Sequence, residues 1–443
     1  MRRSDLRVCP RIPGSLTSPS QTLKKCTPLV RIKPIPESLR VMSSLLLRRI
    51  ARSLGAGPAF IVFVCIAIGC ENEYPADLKY PLRSEPLVTD QIKAIPKHLD
   101  KPGELSLILS GLEDETDRRG VLNPQELEPE KKKELDALLD QIFGTPLRPQ
   151  VNAADVSGFE ADVKEAVAGA RKALLLDDER LARGSELYRI QCLHCHGLTG
   201  NGRGPTAPWV NPHPRDYRPG IFKFTSSSQP DKVRKPRRVD LLRTLREGIE
   251  GTSMPSFGLL PEADLEALVS YVIHLSMRGQ LEFNVTKDML SPDLKDSDLT
   301  ERANDILKAS VQNWMQAENL VIRPDANLPT GDERARSIQN GHRLFRETTT
   351  AGCISCHKDY GRQADYFYDS WGTIGRPTDL TTGVYRGGRR PIDFFWRIHS
   401  GVNGSNMPAF ANALKPQEIW DLVNFVQILP YPQMRKKYGV EID

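Results

Sequence analysis

Two stretches of this chain repeat one order of unusual residues, and any fold must place both sets alike. Cys192-Leu-His-Cys195-His196 is followed by Gly251-Thr-Ser-Met254-Pro-Ser-Phe257. Cys353-Ile-Ser-Cys356-His357 is followed by Gly404-Ser-Asn-Met407-Pro-Ala-Phe410. The surrounding residues repeat as well. Gly184-Ser-Glu-Leu187-Tyr188 precedes the first set and Gly341-His-Arg-Leu344-Phe345 the second. Pro214-Arg-Asp216 through Phe222-Lys223 pairs with Pro377-Thr-Asp379 through Tyr385-Arg386, Asp240–Gly248 with Asp393–Gly401, and Leu265–Val272 with Ile419–Val426.

Cys-x-x-Cys-His admits three chemistries: half of a zinc site, a redox dithiol, or the attachment of c-type haem. Zinc needs a second thiol pair nearby, and neither copy has one. A redox dithiol expects a βαβ neighbourhood, which is absent from this pattern. Two thiols three residues apart share one side of a helical turn, so each can form a thioether to a porphyrin. On that reading Cys192, Cys195, Cys353 and Cys356 bind two covalent haem c groups, and His196 and His357 are the proximal iron ligands. Met254 and Met407 are candidates for the sixth position, where a thioether raises the reduction potential. Met is more often core filler than ligand, but the shared Gly-x-x-Met-Pro setting favours ligation in both copies. Rival ligands are His213, His274 and Met277 in the first copy, and His399 and Met434 in the second. His399 is the strongest of these, although its counterpart in the first copy is Arg246.

The order of helix, haem motif, loop, short helix, Met loop and final helix resembles class I cytochromes c over about 177–280 and 331–438. The resemblance implies an all-α fold of two tandem class I cytochrome c domains. It also implies that the first and last helices of each domain cross at a contact of Gly with aromatic rings. Gly184 and Tyr188 would then meet Tyr271, and Gly341 and Phe345 would meet Phe425. The sequence departs from the family in four extra residues, Thr348–Ala351, and in a basic insert between Phe224 and Asp240. That insert, Lys232-Val-Arg-Lys-Pro-Arg-Arg238, reads either as a solvated loop or as a docking site for an acidic redox partner. Asp216, Asp379, Arg215, Lys223 and Arg386 lie where haem propionates, loop caps or solvated ion pairs would be served.

Charge is unevenly placed. Residues 1–69 hold 12 Lys/Arg and two acids, which leaves 49 basic against 54 acidic side chains in the remainder. A mildly acidic remainder gives no support for nucleic-acid binding. Arg48, Arg49 and Arg52 precede the apolar run Ala59–Gly69, which is about half the length needed to span a bilayer. A basic start, a short apolar run and small residues at its end describe an export signal over 42–69. Ala67-Ile-Gly69-Cys70 resembles a bacterial lipobox, which makes Cys70 the expected lipidated residue. Ordinary cleavage near Gly69 and an uncleaved anchor are the alternatives. Residues 1–41 read as an over-extended start or a disordered leader.

Residues 70–176 form an N-terminal extension, expected to be mostly helical, with an amphipathic helix from Glu130 that stops at Gly144 and another helix over Phe159–Leu176. It would act as a spacer from a membrane or pack on a partner. A helical linker, 281–330, carries one good helix, Leu299–Asn319, and is long for mere connection.

These features together lead to the expectation of an exported, non-enzymatic electron carrier at the periplasmic face of a bacterial membrane, held there by lipid. Its two His/Met haems would pass single electrons in a respiratory chain, between a membrane quinol-oxidising complex and a terminal oxidase. The resemblance extends to the dihaem and fused cytochrome subunits of alternative complex III and haem-copper oxidases. A dihaem peroxidase-like enzyme, or a haem sensor with one open iron site, is the competing reading.

Overall fold

The computed structural model describes residues 75, 77–90, 92, 120–228, 234–324 and 329–442. All of them belong to the unit Pro75–Asp443. The expected export signal, leader and Cys70 lie outside the described residues, as do Lys232 and Val233 of the basic insert.

Among the described residues the fold is all-α apart from three two-residue antiparallel pairs and one isolated bridge between Ser227 and Val321. The pairs are β1 (Leu87–Val88) with β2 (Val121–Leu122), β3 (Gly144–Thr145) with β4 (Arg148–Pro149), and β5 (Phe367–Tyr368) with β6 (Ile374–Gly375). The extension contributes α1 (Pro129–Phe143) and α2 (Ala161–Ala173). Pro129 opens α1 where no amide partner is needed, and Gly144 ends it.

The first repeat folds as α3 (Asp178–Gln191), a one-turn α4 (Leu193–His196), α5 (Arg238–Glu247) and α6 (Glu262–Leu290). After α7 (Leu299–Gln316) the plan recurs as α8 (Gly331–Arg346), α9 (Cys353–Cys356), α10 (Pro391–Ser400) and α11 (Pro416–Ile428), closed by α12 (Pro432–Lys437). In each copy the first and last helices cross at glycine. A Cβ on Gly184 would overlap the Ala267 carbonyl and sit 2.8 Å from Tyr271 Cβ; on Gly341 it would overlap the Asp421 carbonyl and sit 2.8 Å from Phe425 Cβ. The aromatic pairs fill the space beside each crossing. The ring centroids of Tyr188 and Tyr271 lie 5.2 Å apart, and those of Phe345 and Phe425 5.5 Å.

Helix α6 runs ten residues past the point where the resemblance ends the first domain. Ile273, Leu275, Met277, Leu281, Val285 and Met289 are all buried, with no Pro before Pro292. An apolar helix of this kind needs neighbours on every side. Helices α1, α3, α5 and α7 supply them, and α2 packs on α7. The extension therefore spends its apolar faces inside the molecule: Leu139, Phe143 and Val163 share one core with Tyr188, Leu268 and Trp314.

The two repeats meet about a local near-two-fold relation. Gly251, in the Met loop of the first repeat, abuts Val384 of the second. Its counterpart Gly404 abuts Ile221, which is itself the counterpart of Val384. Gly387 packs against Phe224, its own equivalent in the repeat. A self-complementary contact of this kind is what two copies of one surface produce.

Candidate functional site

The short turn α4 follows directly from α3, whose N-terminus is capped by Asp177 accepting from the Arg180 amide at 3.0 Å. Within the turn His196 N donates to Cys192 O at 2.9 Å; in the second copy His357 N donates to Cys353 O at 2.8 Å. None of the four motif cysteines is in a disulfide. Burial pushes the Cys192 thiol up to about 12 and Cys353 to about 11. A redox dithiol needs the opposite shift.

Burial pushes the His196 imidazole down to about 4 and also lowers His357. Both rings are therefore neutral at ordinary pH, as a metal ligand must be. His357 Nδ1 lies 3.2 Å from the Thr378 carbonyl. That bond leaves Nε2 as the free lone pair, the arrangement that orients a ligating imidazole. In the first copy the carbonyl of Arg215, at the same repeat position as Thr378, acts on His196 and favours its protonated form. It lies outside hydrogen-bond geometry, and His196 Nδ1 is buried without a partner.

Beside His196 opens a cavity of about 420 Å³. Cys192, Cys195 and His196 line one wall, and Met254 lies among the lining residues with Phe222 and Leu245. That volume falls in the range of small-molecule and cofactor sites. The Met loop has the same frame in both copies. Met254 N donates to Thr252 Oγ1 at 3.1 Å, and Met254 O accepts from Ile249 N at 3.1 Å. Met407 N donates to Ser405 Oγ at 3.2 Å, and Met407 O accepts from Val402 N at 3.1 Å. Met407 packs on the core that also takes Cys353 and Phe345. Two unpaired thiols, a neutral imidazole and a thioether around an apolar cavity fit a covalently held haem. Among the described residues no three His, Cys, Asp or Glu side chains form a metal-binding group, which leaves the zinc reading without ligands.

Four of the five rival ligands are engaged elsewhere, and His213 stays at the first cavity. His274 is buried, bonded through Nε2 to Phe143 O at 2.9 Å and stacked on Tyr271. Met277 is buried in the helical core. His399 Nδ1 lies 3.0 Å from Ser400 Oγ and 3.2 Å from Ser228 Oγ, on the seam between the repeats. Met434 faces a separate cavity beside Tyr431. His213 lines the first cavity, with Nδ1 2.9 Å from Pro214 O.

The described part of the basic insert is neither a solvated loop nor a docking patch at Arg234 and Lys235. Arg234 reaches the carbonyls of Ser400 and Gly401 in the second repeat, the latter at 3.1 Å. Lys235 is buried and donates to Gly220 O at 2.7 Å and Gln280 Oε1 at 2.8 Å. Asp216 likewise sits in a buried cluster: Arg83 and Arg218 each donate to its carboxylate at 3.0 Å, and Glu85 pairs with Arg218. Asp379 caps its own turn, accepting from Thr381 N at 2.9 Å.

Two segments of the chain, residues 179–272 and 336–426, match the family model described as cytochrome c oxidase, cbb3-type, subunit III. Both segments are cytochrome c domains. Such domains carry covalently bound haem c, transfer electrons through it and work with redox partners. They are typically exported, and no helix among the described residues is long and apolar enough to cross a membrane. A chain of the reducing HAO-like protein complex of Kuenenia stuttgartiensis is 25% identical over 56% of this chain and 95% of its own, with a TM-score of 0.41. No curated protein matches the chain.

Sequence reasoning missed Asp369 and Trp371. Asp369 is buried and accepts from Arg215 Nη1 at 2.6 Å, and Trp371 packs beneath the same guanidinium, 4.8 Å from its ring. Both lie in a loop with no periodicity and no counterpart motif in the first repeat.

Proposed function

We propose that the chain is an electron carrier with two c-type haems, one in each cytochrome c domain. Cys192, Cys195 and His196 would hold the first, and Cys353, Cys356 and His357 the second, with Met254 and Met407 in the sixth positions. Bound haem supplies a one-electron Fe(III)/Fe(II) couple. The chain's own task is to exclude water with Leu245, Phe222 and their second-repeat counterparts, to keep each imidazole neutral, and to fix each Met by the bonds of its loop. The reading rests most on one observation: the same Met-loop hydrogen bonds are built twice, each beside a core that takes the Cys-x-x-Cys-His turn.

The carrier reading is preferred to an enzyme because both copies keep a Met in the same hydrogen-bonded loop, so neither is marked out as an open iron site. Export, a lipid on Cys70, and a place between a membrane quinol-oxidising complex and a terminal oxidase complete the proposal. The test is a redox-titrated visible spectrum of the exported protein with haem counted by intact mass. Two haems, each with the Met–iron charge-transfer band and neither binding carbon monoxide, would support the carrier. One haem that takes up carbon monoxide would overturn it in favour of a sensor or peroxidase-like site.

A further inference from the structure

The cavity of the first domain is mainly apolar, yet three cations line it: Arg215, Lys223 and Arg386. Arg386 comes from the second domain, where it holds the repeat position of Lys223. One buried carboxylate, Asp369, also of the second domain, faces this group. It accepts from Arg215 Nη1 at 2.6 Å and Lys223 Nζ at 3.5 Å, and its remaining capacity is filled by Thr373 Oγ1 at 2.8 Å, Thr373 N at 3.0 Å and Trp371 N at 3.1 Å. Trp371 lies under both cations, 4.8 Å from Arg215 and 5.4 Å from Lys223. The other edge of its ring is pressed on Gly404, which opens the Gly-x-x-Met407 loop.

We propose that the second domain completes the carboxylate-binding rim of the first haem cavity. Arg386 contributes a cation directly, while Asp369 and Trp371 act as positioning residues that hold Arg215 and Lys223 toward the cavity. This inference rests on the two-haem reading above. The charges are matched: three cations against Asp369 leave a surplus of two, and haem c brings two propionate carboxylates. Arg215 and Lys223 keep 28% and 20% of their side chains exposed and Arg386 is exposed, so all three cations stand at the rim of the cavity. Positive charge beside a haem disfavours its oxidised form, so the second domain sets the potential of the first haem.

The experiment uses the full holoprotein. Met407→His marks the second haem by lowering its potential, so that the two one-electron waves of a spectroelectrochemical titration are assigned. On that background Arg386→Gln should shift the first haem toward its oxidised form by about fivefold or more. Arg386→Lys, which keeps the charge, should leave the first wave close to its wild-type position. A shift with Arg386→Gln that Arg386→Lys does not show, with the haem count unchanged, would support the shared rim, because mere loosening of the interface does not follow the charge. No shift in the first haem, or an equal shift in both variants, would overturn it. A single haem by mass, or a titration that Met407→His does not split, would overturn the two-haem reading itself and this inference with it.

Discussion

Trp371 donates its indole N–H to the backbone carbonyl of Asp216, 2.5 Å away, across the boundary between the two repeats. Asp216 follows Arg215, whose carbonyl faces His196 and whose side chain lines the first cavity. Its carboxylate meanwhile binds Arg83 of the extension. Extension, first domain and second domain thus converge on one residue beside the cavity. Trp371→Phe keeps most of the buried ring and removes only the donor. It should cost about 1–3 kcal/mol, the range for leaving a buried carbonyl unsatisfied. Equilibrium urea unfolding of the holoprotein measures this, and an unchanged midpoint would mean that the carbonyl finds another donor.

The charges around Asp216 predict a larger effect. Burial alone would raise its carboxyl, yet Arg218 and Arg83 hold it below the ordinary value. Asp216→Ala leaves two guanidinium groups, 4% and 3% exposed, short of a partner. Breaking such a pair costs about 3–5 kcal/mol. A depressed carboxyl binds fewer protons folded than unfolded, so its stabilisation is present above the unfolded pKa and is lost as pH falls below about 4. Asp216→Asn should flatten that acid limb, and a variant that keeps the wild-type limb would place the titration elsewhere.

The helix crossings give a third prediction. Ala is a better helix former than Gly by about 1 kcal/mol, so an exposed Gly→Ala change in α3 or α8 would stabilise. At Gly184 and Gly341 the added Cβ meets the backbone of the opposite helix, which cannot swing away as a side chain would. Overpacking of this kind costs about 1–3 kcal/mol, so the net change should be destabilising at both positions and the melting temperature should fall. A rise at either one would mean that its helices slide apart freely.

The crossing was legible because it depends on residues that recur at fixed intervals in a helical pattern. Gly184, Tyr188 and Tyr271, and their counterparts, were readable through the family resemblance for that reason, and the linker helix expected over Leu299–Asn319 is present over Leu299–Gln316. What was illegible depends on partners distant in the chain. Trp371 and Asp369 sit in an aperiodic loop, and their meaning comes from Arg215 and Lys223, about 150 residues earlier. The basic insert misled for the same reason. A run of Lys and Arg looks solvated until the fold supplies carbonyls from Gly220, Ser400 and Gly401 to receive it. Helix α6 outran its expected end because the extension, whose role the sequence left open, covers its far side.

Lys235 allows a prediction in pH. Its ammonium is buried against the Trp314 ring, and its hydrogen-bond partners are the neutral oxygens of Gly220 and Gln280. Burial pushes its pKa down to about 7. Below that value both folded and unfolded chains carry the proton, and the residue adds no pH dependence. Between about pH 7 and about pH 10 the unfolded chain still holds the proton while the folded chain has released it, so stability rises with pH by up to about 1.4 kcal/mol per unit. Lys235→Met has no proton to exchange and should lack this rise. The stability difference between wild type and Lys235→Met, measured by urea unfolding at several pH values across that window, should therefore shift steadily in favour of the wild type. A difference that stays flat would show that Lys235 remains charged in the folded protein, and that its carbonyl partners and the Trp314 face are enough to hold the ammonium out of water.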